Sequence, residues 1–196
     1  MSIMKSQIIT FLIAFLLLGC KNEKKTIFYP SKGTFKNKQT IQMNDMSSEE
    51  IIRRYERFDY SNENDTLYSF SLESKINRKE VAMFPRSLGL IKSKNILRIS
   101  KDSISAGYTK SFGFEKLDEI LEKFYLNNGK DGNFSDSPEK AILMIEPSVY
   151  KEKEGLENRL QRIVDSFDNL NSKVEVKLEL YIVLAVPIPK PPPPTL

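Results

Sequence analysis

The sequence predicts an α+β fold, a mixed sheet with two helices packed on one face. Three observations predict it. Phe114, Leu117, Ile120, Leu121, Phe124 and Tyr125 recur at helical spacing, and Leu156, Leu160, Ile163, Val164, Phe167 and Leu170 do so again. Between them Ala141-Ile142-Leu143-Met144-Ile145 is a continuous apolar run, as in a strand covered on both faces. After the second helix Val174, Val176, Leu178, Leu180, Ile182, Leu184 and Val186 alternate without a break. The order is hairpin, helix, strand, helix, strand, with an extra helix and strand ahead of it. A right-handed crossover makes strands 141–146 and 174–186 parallel.

The elements follow in chain order. In Met1–Cys20 a single cation, Lys5, precedes an apolar run from Ile8 to Leu18. That is a secretory n-region and h-region. The run covers about 11 residues, where a spanning helix needs roughly 20. It ends in Leu17-Leu18-Gly19-Cys20, and polar Lys21-Asn22-Glu23-Lys24-Lys25 follows at once. This segment resembles a bacterial lipoprotein signal, with Leu17, Gly19 and Cys20 on the lipobox positions. The resemblance implies cleavage after residue 19, lipidation of the Cys20 sulfur and an envelope location on either membrane. Two or three acyl chains anchor stably where one does not.

Residues 20–45 read as the lipidated cysteine and a polar, Lys-rich tether. Fully extended, the tether would reach about 80–90 Å at roughly 3.3–3.6 Å per residue. Residues 46–186 read as one domain with its core in 95–186, and 187–196 as a Pro-rich tail. Ser47 and Glu50 have capping-box spacing ahead of Ile51, Ile52, Tyr55 and Phe58, which predicts a helix over 48–58. Its Arg53, Arg54 and Arg57 could grip a phosphate, although a solvated face is the plainer reading. Tyr68, Phe70 and Leu72 alternate with polar residues and predict a strand over 66–76. Asn77 is expected to cap a short helical turn through Met83. Ile96–Ile99 and Ser103–Tyr108 form the hairpin, and Asn127–Ser137 a turn-rich loop.

A family resemblance appears across 95–186. Leu97-Arg98-Ile99-Ser100-Lys101-Asp102, Phe114–Leu121 and Ala141–Tyr150, the last including Glu146-Pro147-Ser148-Val149-Tyr150, resemble the periplasmic domain of ExbD and TolR proteins. These are partners of proton-driven energising complexes in the bacterial envelope. The resemblance implies a binding role there. It does not extend to ion coupling, because the apolar segment Ile8–Leu18 carries no acidic residue.

The composition removes much chemistry. With no His and Cys20 as the sole Cys, there is no His general base, no Ser-His-Asp triad and no zinc site of His and Cys ligands. No Gly-rich phosphate loop occurs, and no cofactor or metal is expected. A net charge of +4 is too balanced to imply nucleic acid. Ser137-Pro138-Glu139-Lys140 matches Ser-x-x-Lys, but no Lys-Thr-Gly accompanies it. Asp131-Gly132-Asn133 suggests a calcium loop. Putting Gly132 at the sixth position makes Pro138 the twelfth, so EF-hand spacing fails. The acids of the two long helices read as a solvated face. A carboxylate-based cell-wall hydrolase would need two of them facing across a groove.

These exclusions leave a non-enzymatic interaction module, with an envelope protein or glycan as partner and homo-oligomerisation open. The candidate contact residues are Tyr181 and Val183, on the second face of the last strand, and the tail prolines Pro187, Pro189, Pro191, Pro192, Pro193 and Pro194. Residues 27–90 or a partner could cover that face. The four consecutive prolines force polyproline II, which docks into aromatic-lined grooves.

Overall fold

The computed structural model describes residues 24–57, 66–74, 76–84, 91–150 and 153–185. Its strands are β1 (Lys25–Tyr29), β2 (Gln39–Gln42), β3 (Thr66–Glu73), β4 (Asn77–Phe84), β5 (Ile96–Ile99), β6 (Ser103–Ala106), β7 (Lys110–Gly113), β8 (Ile142–Ile145) and β9 (Ile182–Leu184). Its α-helices are α1 (Ser48–Arg57), α2 (Leu117–Leu126), the single turn α3 (Pro147–Tyr150) and α4 (Lys153–Asn171). The strands join one mixed sheet, ordered β2-β3-β4-β9-β8-β5-β6-β7. This is the α+β class the periodicity predicts.

Strands β4, β9, β8 and β5 run parallel. The end where they begin is called the lower end here. β3 and β6 run back antiparallel, so the β3–β4 turn lies at the lower end and the β5–β6 turn at the upper. Leu97, Ile99, Leu143, Ile145, Ile182 and Leu184 share one face of the sheet and are buried beneath α2 and α4. Tyr125 and Phe167 meet between these helices, ring centroids 5.4 Å apart.

The N-terminal third departs from the sequence reading. Residues 25–29 and 39–42, expected in the tether, are strands of the sheet. β1 pairs parallel with Asn77–Val81 of β4, and β2 parallel with β3. Its apolar island Ile27-Phe28-Tyr29 is too short to show a period, yet Tyr29 is buried and edge-on to Phe167 at 6.2 Å. The expected helical turn over 77–83 is strand β4. Its alternation is masked because Lys79 and Glu80 are buried charges. The Lys79 ammonium reaches Asp165 at 2.7 Å and Asp168 at 2.9 Å on α4. Glu80 accepts from Arg78, Gln42 and Ser69.

The long strand predicted over 174–186 contracts to β9. β4 has one edge for two partners: β1 takes its first half and β9 only Met83 and Phe84. Residues 177–180 therefore run beside β1 without joining a ladder, and Leu178 and Leu180 are still buried. The hairpin gains a third strand, β7.

Candidate functional site

Three backbone ends converge at the lower end: the residues before β5, before β8 and before β9. Asn95 is buried there. Its Oδ1 accepts from the Ser135 hydroxyl at 3.1 Å and the Asp136 N–H at 2.9 Å. Asn127, closing α2, donates through Nδ2 to the carbonyls of Asp131, Phe134 and Ser135 and accepts the Asp131 N–H. Two buried amides thus supply what the loop backbone would otherwise lack. The fixed loop walls a groove of about 400 Å³. Its apolar part is Ile91, Ile142 and Tyr181, and its rim is Lys92, Lys140, Asp136 and Glu139. Tyr181 packs on Phe84 with centroids 5.3 Å apart.

The rim acids are already paired. Asp136 takes the Lys94 ammonium at 2.5 Å and that of Lys92 at 3.4 Å, and the Lys94 bond holds its carboxyl below the usual carboxylate range. Glu139 is lowered too, first by the Ser137 hydroxyl. A glycosidase general acid needs a raised value, so this pair departs from that chemistry. The Ser-x-x-Lys stretch forms a short 3₁₀ turn, Pro138–Lys140. There Ser137 serves Glu139, whereas nucleophile activation would need it against Lys140. In the proposed calcium loop Asp131 binds the Lys110 ammonium at 2.6 Å, and both the backbone N–H and the amide of Asn133 bond its other oxygen. An ammonium occupies the cation position, and among the described residues no cluster of three metal-ligating side chains occurs. Among the described residues the helix acids are dispersed: Asp118 pairs with Arg162, Glu119 with Lys123, and Glu157 accepts from Asn44, while Glu152 and the Glu154 side chain lie outside the described residues. On α1, Arg54 pairs with Glu50 and Arg53 is exposed; the Arg57 side chain lies outside the described residues.

Of the predicted contact residues, Tyr181 lines the groove. Val183 is 1 % exposed, on the sheet face opposite α4 and beside Phe84. It is part of the packing rather than a free contact, because β4 and β8 flank it on both sides. Cys20, Pro187, Pro189 and Pro191–Pro194 lie outside the described residues.

The upper end carries a feature that sequence reading missed. The Tyr55 hydroxyl donates to the Phe84 carbonyl and accepts the Leu184 N–H at 3.0 Å, bridging β4 and β9 where their ladder stops. The Tyr150 hydroxyl donates to the Ala185 carbonyl. Two helices thereby hold the last described turn of chain before the prolines. The signal for Tyr55 was its place on the apolar stripe of α1, since a buried Tyr hydroxyl needs a partner; Tyr150, in the short turn before α4, had none. No family model matches the chain, and neither a curated protein nor a solved structure does.

Proposed function

We propose that this chain is a lipid-anchored bacterial envelope protein whose domain is a non-enzymatic interaction module. The observation that carries the reading is the coincidence of the only cysteine with the end of the only long apolar run. The groove supports binding over chemistry, since Asp136 is paired with Lys94 and Lys92 and the Glu139 carboxyl is held low first by the Ser137 hydroxyl. Tyr181 in the groove and, apart from it, the tail prolines Pro187–Pro194 are the proposed contacts for an envelope protein or glycan. Cys20→Ala tests the anchor: palmitate incorporation and membrane fractionation are both expected to fail. Full membrane retention by the variant would refute it.

A second reading is an accessory module of the ExbD/TolR kind. It is favoured by the arrangement of β5–β9, one sheet with both long helices on one face. Only a binding role carries over. Among the described residues no helix is long and apolar enough to cross a membrane. Crosslinking in native cells, with a chain lacking residues 187–196 alongside, separates the two readings. An energising-complex subunit recovered with the full chain and lost on truncation supports the second. A glycan or unrelated envelope protein supports the first.

A further inference from the structure

The groove at the lower end holds one unspent donor. Asn95 is 5 % exposed and lines the groove. Its Oδ1 is taken by the Ser135 hydroxyl and the Asp136 N–H. Its Nδ2 donates to nothing among the described residues. Yet the sealed side-chain polar atoms without a partner there are Gln42 Oε1 and Ser166 Oγ, so the Asn95 amide donor opens on the groove. The carboxylates of the rim are already bonded, Asp136 by Lys94 and Lys92 and Glu139 by the Ser137 hydroxyl. A ligand for this site needs an apolar body and a carbonyl to accept from Asn95. It has no need of N–H groups of its own.

A polyproline helix has that chemistry. Proline lacks the N–H, the carbonyls make no internal bonds, and the rings are apolar. The dimensions agree as well. Ile96 pairs with Ile142 and Leu143 with Ile182. Asn95, Ile142 and Tyr181 thus stand on three neighbouring strands, within one residue of the same level. Two strand spacings of 4.7–4.9 Å make about 9–10 Å. One polyproline turn, three residues at 3.1 Å, covers about 9 Å. A ring laid on Tyr181 therefore brings a carbonyl one turn away to the Asn95 side, with Ile142 under the middle.

This chain carries such a segment in residues 187–194, but it is badly placed for its own groove. Tyr181 lies four residues before Ala185, about 13 Å lower at 3.3 Å per residue, and β9 runs upward from it. Reaching back would take a reversal directly after Ala185. Every residue from 186 to 194 is a proline or precedes one. A residue before proline is pushed out of the α region, so no two consecutive positions there are both free to take turn values.

We infer that the groove receives the proline tail of a second copy of this chain, one ring on Tyr181 and a carbonyl on the Asn95 amide. Lys190, the only charged side chain in residues 186–196, has a partner in Glu139, which is exposed and makes no ion pair among the described residues. The contact joins two different surfaces and is head-to-tail. The inference rests on the interaction-module reading above and names the partner of the same groove.

The test places the photoreactive residue p-benzoylphenylalanine at Ile188 of the full chain. Copies carrying light and heavy nitrogen are mixed in vesicles of phosphatidylethanolamine and phosphatidylglycerol and irradiated. Crosslinks are expected from position 188 to residues 91–95, 139–142 or 181, with mixed-isotope pairs as frequent as unmixed ones. Asn95→Asp keeps an oxygen to brace the loop and removes the donor, so it should cut the yield roughly fivefold or more. Tyr181→Ser should do the same, and urea midpoints show whether both variants stay folded. A free peptide of residues 186–196 should compete, and its version with alanine at every proline should not. Unmixed pairs alone would put the tail in its own groove and overturn the inference. So would crosslinks to other surfaces, a yield untouched by both folded variants, or equal competition by the alanine peptide. Crosslinks to an unrelated envelope protein alone would overturn it too, while leaving the interaction-module reading in place. The mass of Cys20 is read on the same material: a chain without acyl groups defeats the anchoring reading and leaves the groove result standing.

Discussion

The two ends of the sheet solve the same problem and present different surfaces. At each end strands stop and backbone groups need partners. The upper end satisfies them with long side chains from the helices. Tyr55 serves Phe84 and Leu184, Tyr150 serves Ala185, and Arg159 serves the Lys101 carbonyl while lying 3.5 Å over the Phe114 ring. The lower end satisfies them with short amides, Asn95 and Asn127, from its own loops. Among the described residues the large apolar side chains left exposed are Ile76, Tyr108, Leu126 and Val176, none of them at the upper end.

That contrast breaks most visibly in the packing beneath the upper end. Leu184→Ala, at a site 1 % exposed, is expected to cost about 2–5 kcal/mol in urea unfolding. A cost near zero would mean that Leu184 is not packed in the core beneath α2 and α4. The tyrosine bridges come next. Tyr55→Phe leaves the Phe84 carbonyl and the Leu184 N–H without their shared hydroxyl, at about 1–3 kcal/mol. Tyr150→Phe acts on the neighbouring residue, so the double variant should depart from additivity.

At the lower end, Ile76→Ser and Val176→Ser are expected to move stability by no more than about 0.5 kcal/mol, because neither side chain is packed. A larger loss would make these side chains structural. The smallest effect is electrostatic. The Lys110 ammonium, then Asn133, hold the Asp131 carboxyl down at about 2, from 3.8. Its pKa is lowered, so its stabilising contribution is whole above the unfolded value and fades as pH falls from about 4 toward 2. A carboxyl NMR titration should read the low midpoint, and Lys110→Met should raise it. An unmoved midpoint would assign the shift to Asn133 alone.

The region 95–186 was largely legible because its apolar residues recur over long stretches. Ten or more residues of α2 and α4 each give several turns of period, and Ala141–Ile145 leaves no polar residue to misread. The N-terminal third was not. β1 offers three apolar residues in a Lys-rich stretch. β4 carries Lys79 and Glu80 at buried positions, where Asp165 and Asp168 answer Lys79 and Gln42, Ser69 and the neighbouring Arg78 answer Glu80. A pattern that depends on partners 86 residues away in the chain has no local signature. The same reason hid the competition for one edge of β4, which ends the predicted long strand. Of the site, Tyr181 was visible as an aromatic on the second face of a strand. The roles of Asn95 and Asn127 were not, since isolated asparagines in a loop look like any turn.

The seam between β4 and β9 also sets a timetable. Met83 pairs with Ile182, about a hundred residues later, and β1, the first strand made, waits for β4 before it has any neighbour. Pairings this far apart in sequence are slow to form, because the intervening chain must be closed into a loop first. β1 to β4 can pair among themselves within residues 25–84, but their join to the rest of the sheet waits for Ile182 and Val183. A chain with that dependency closes its sheet only once its last strand has been made.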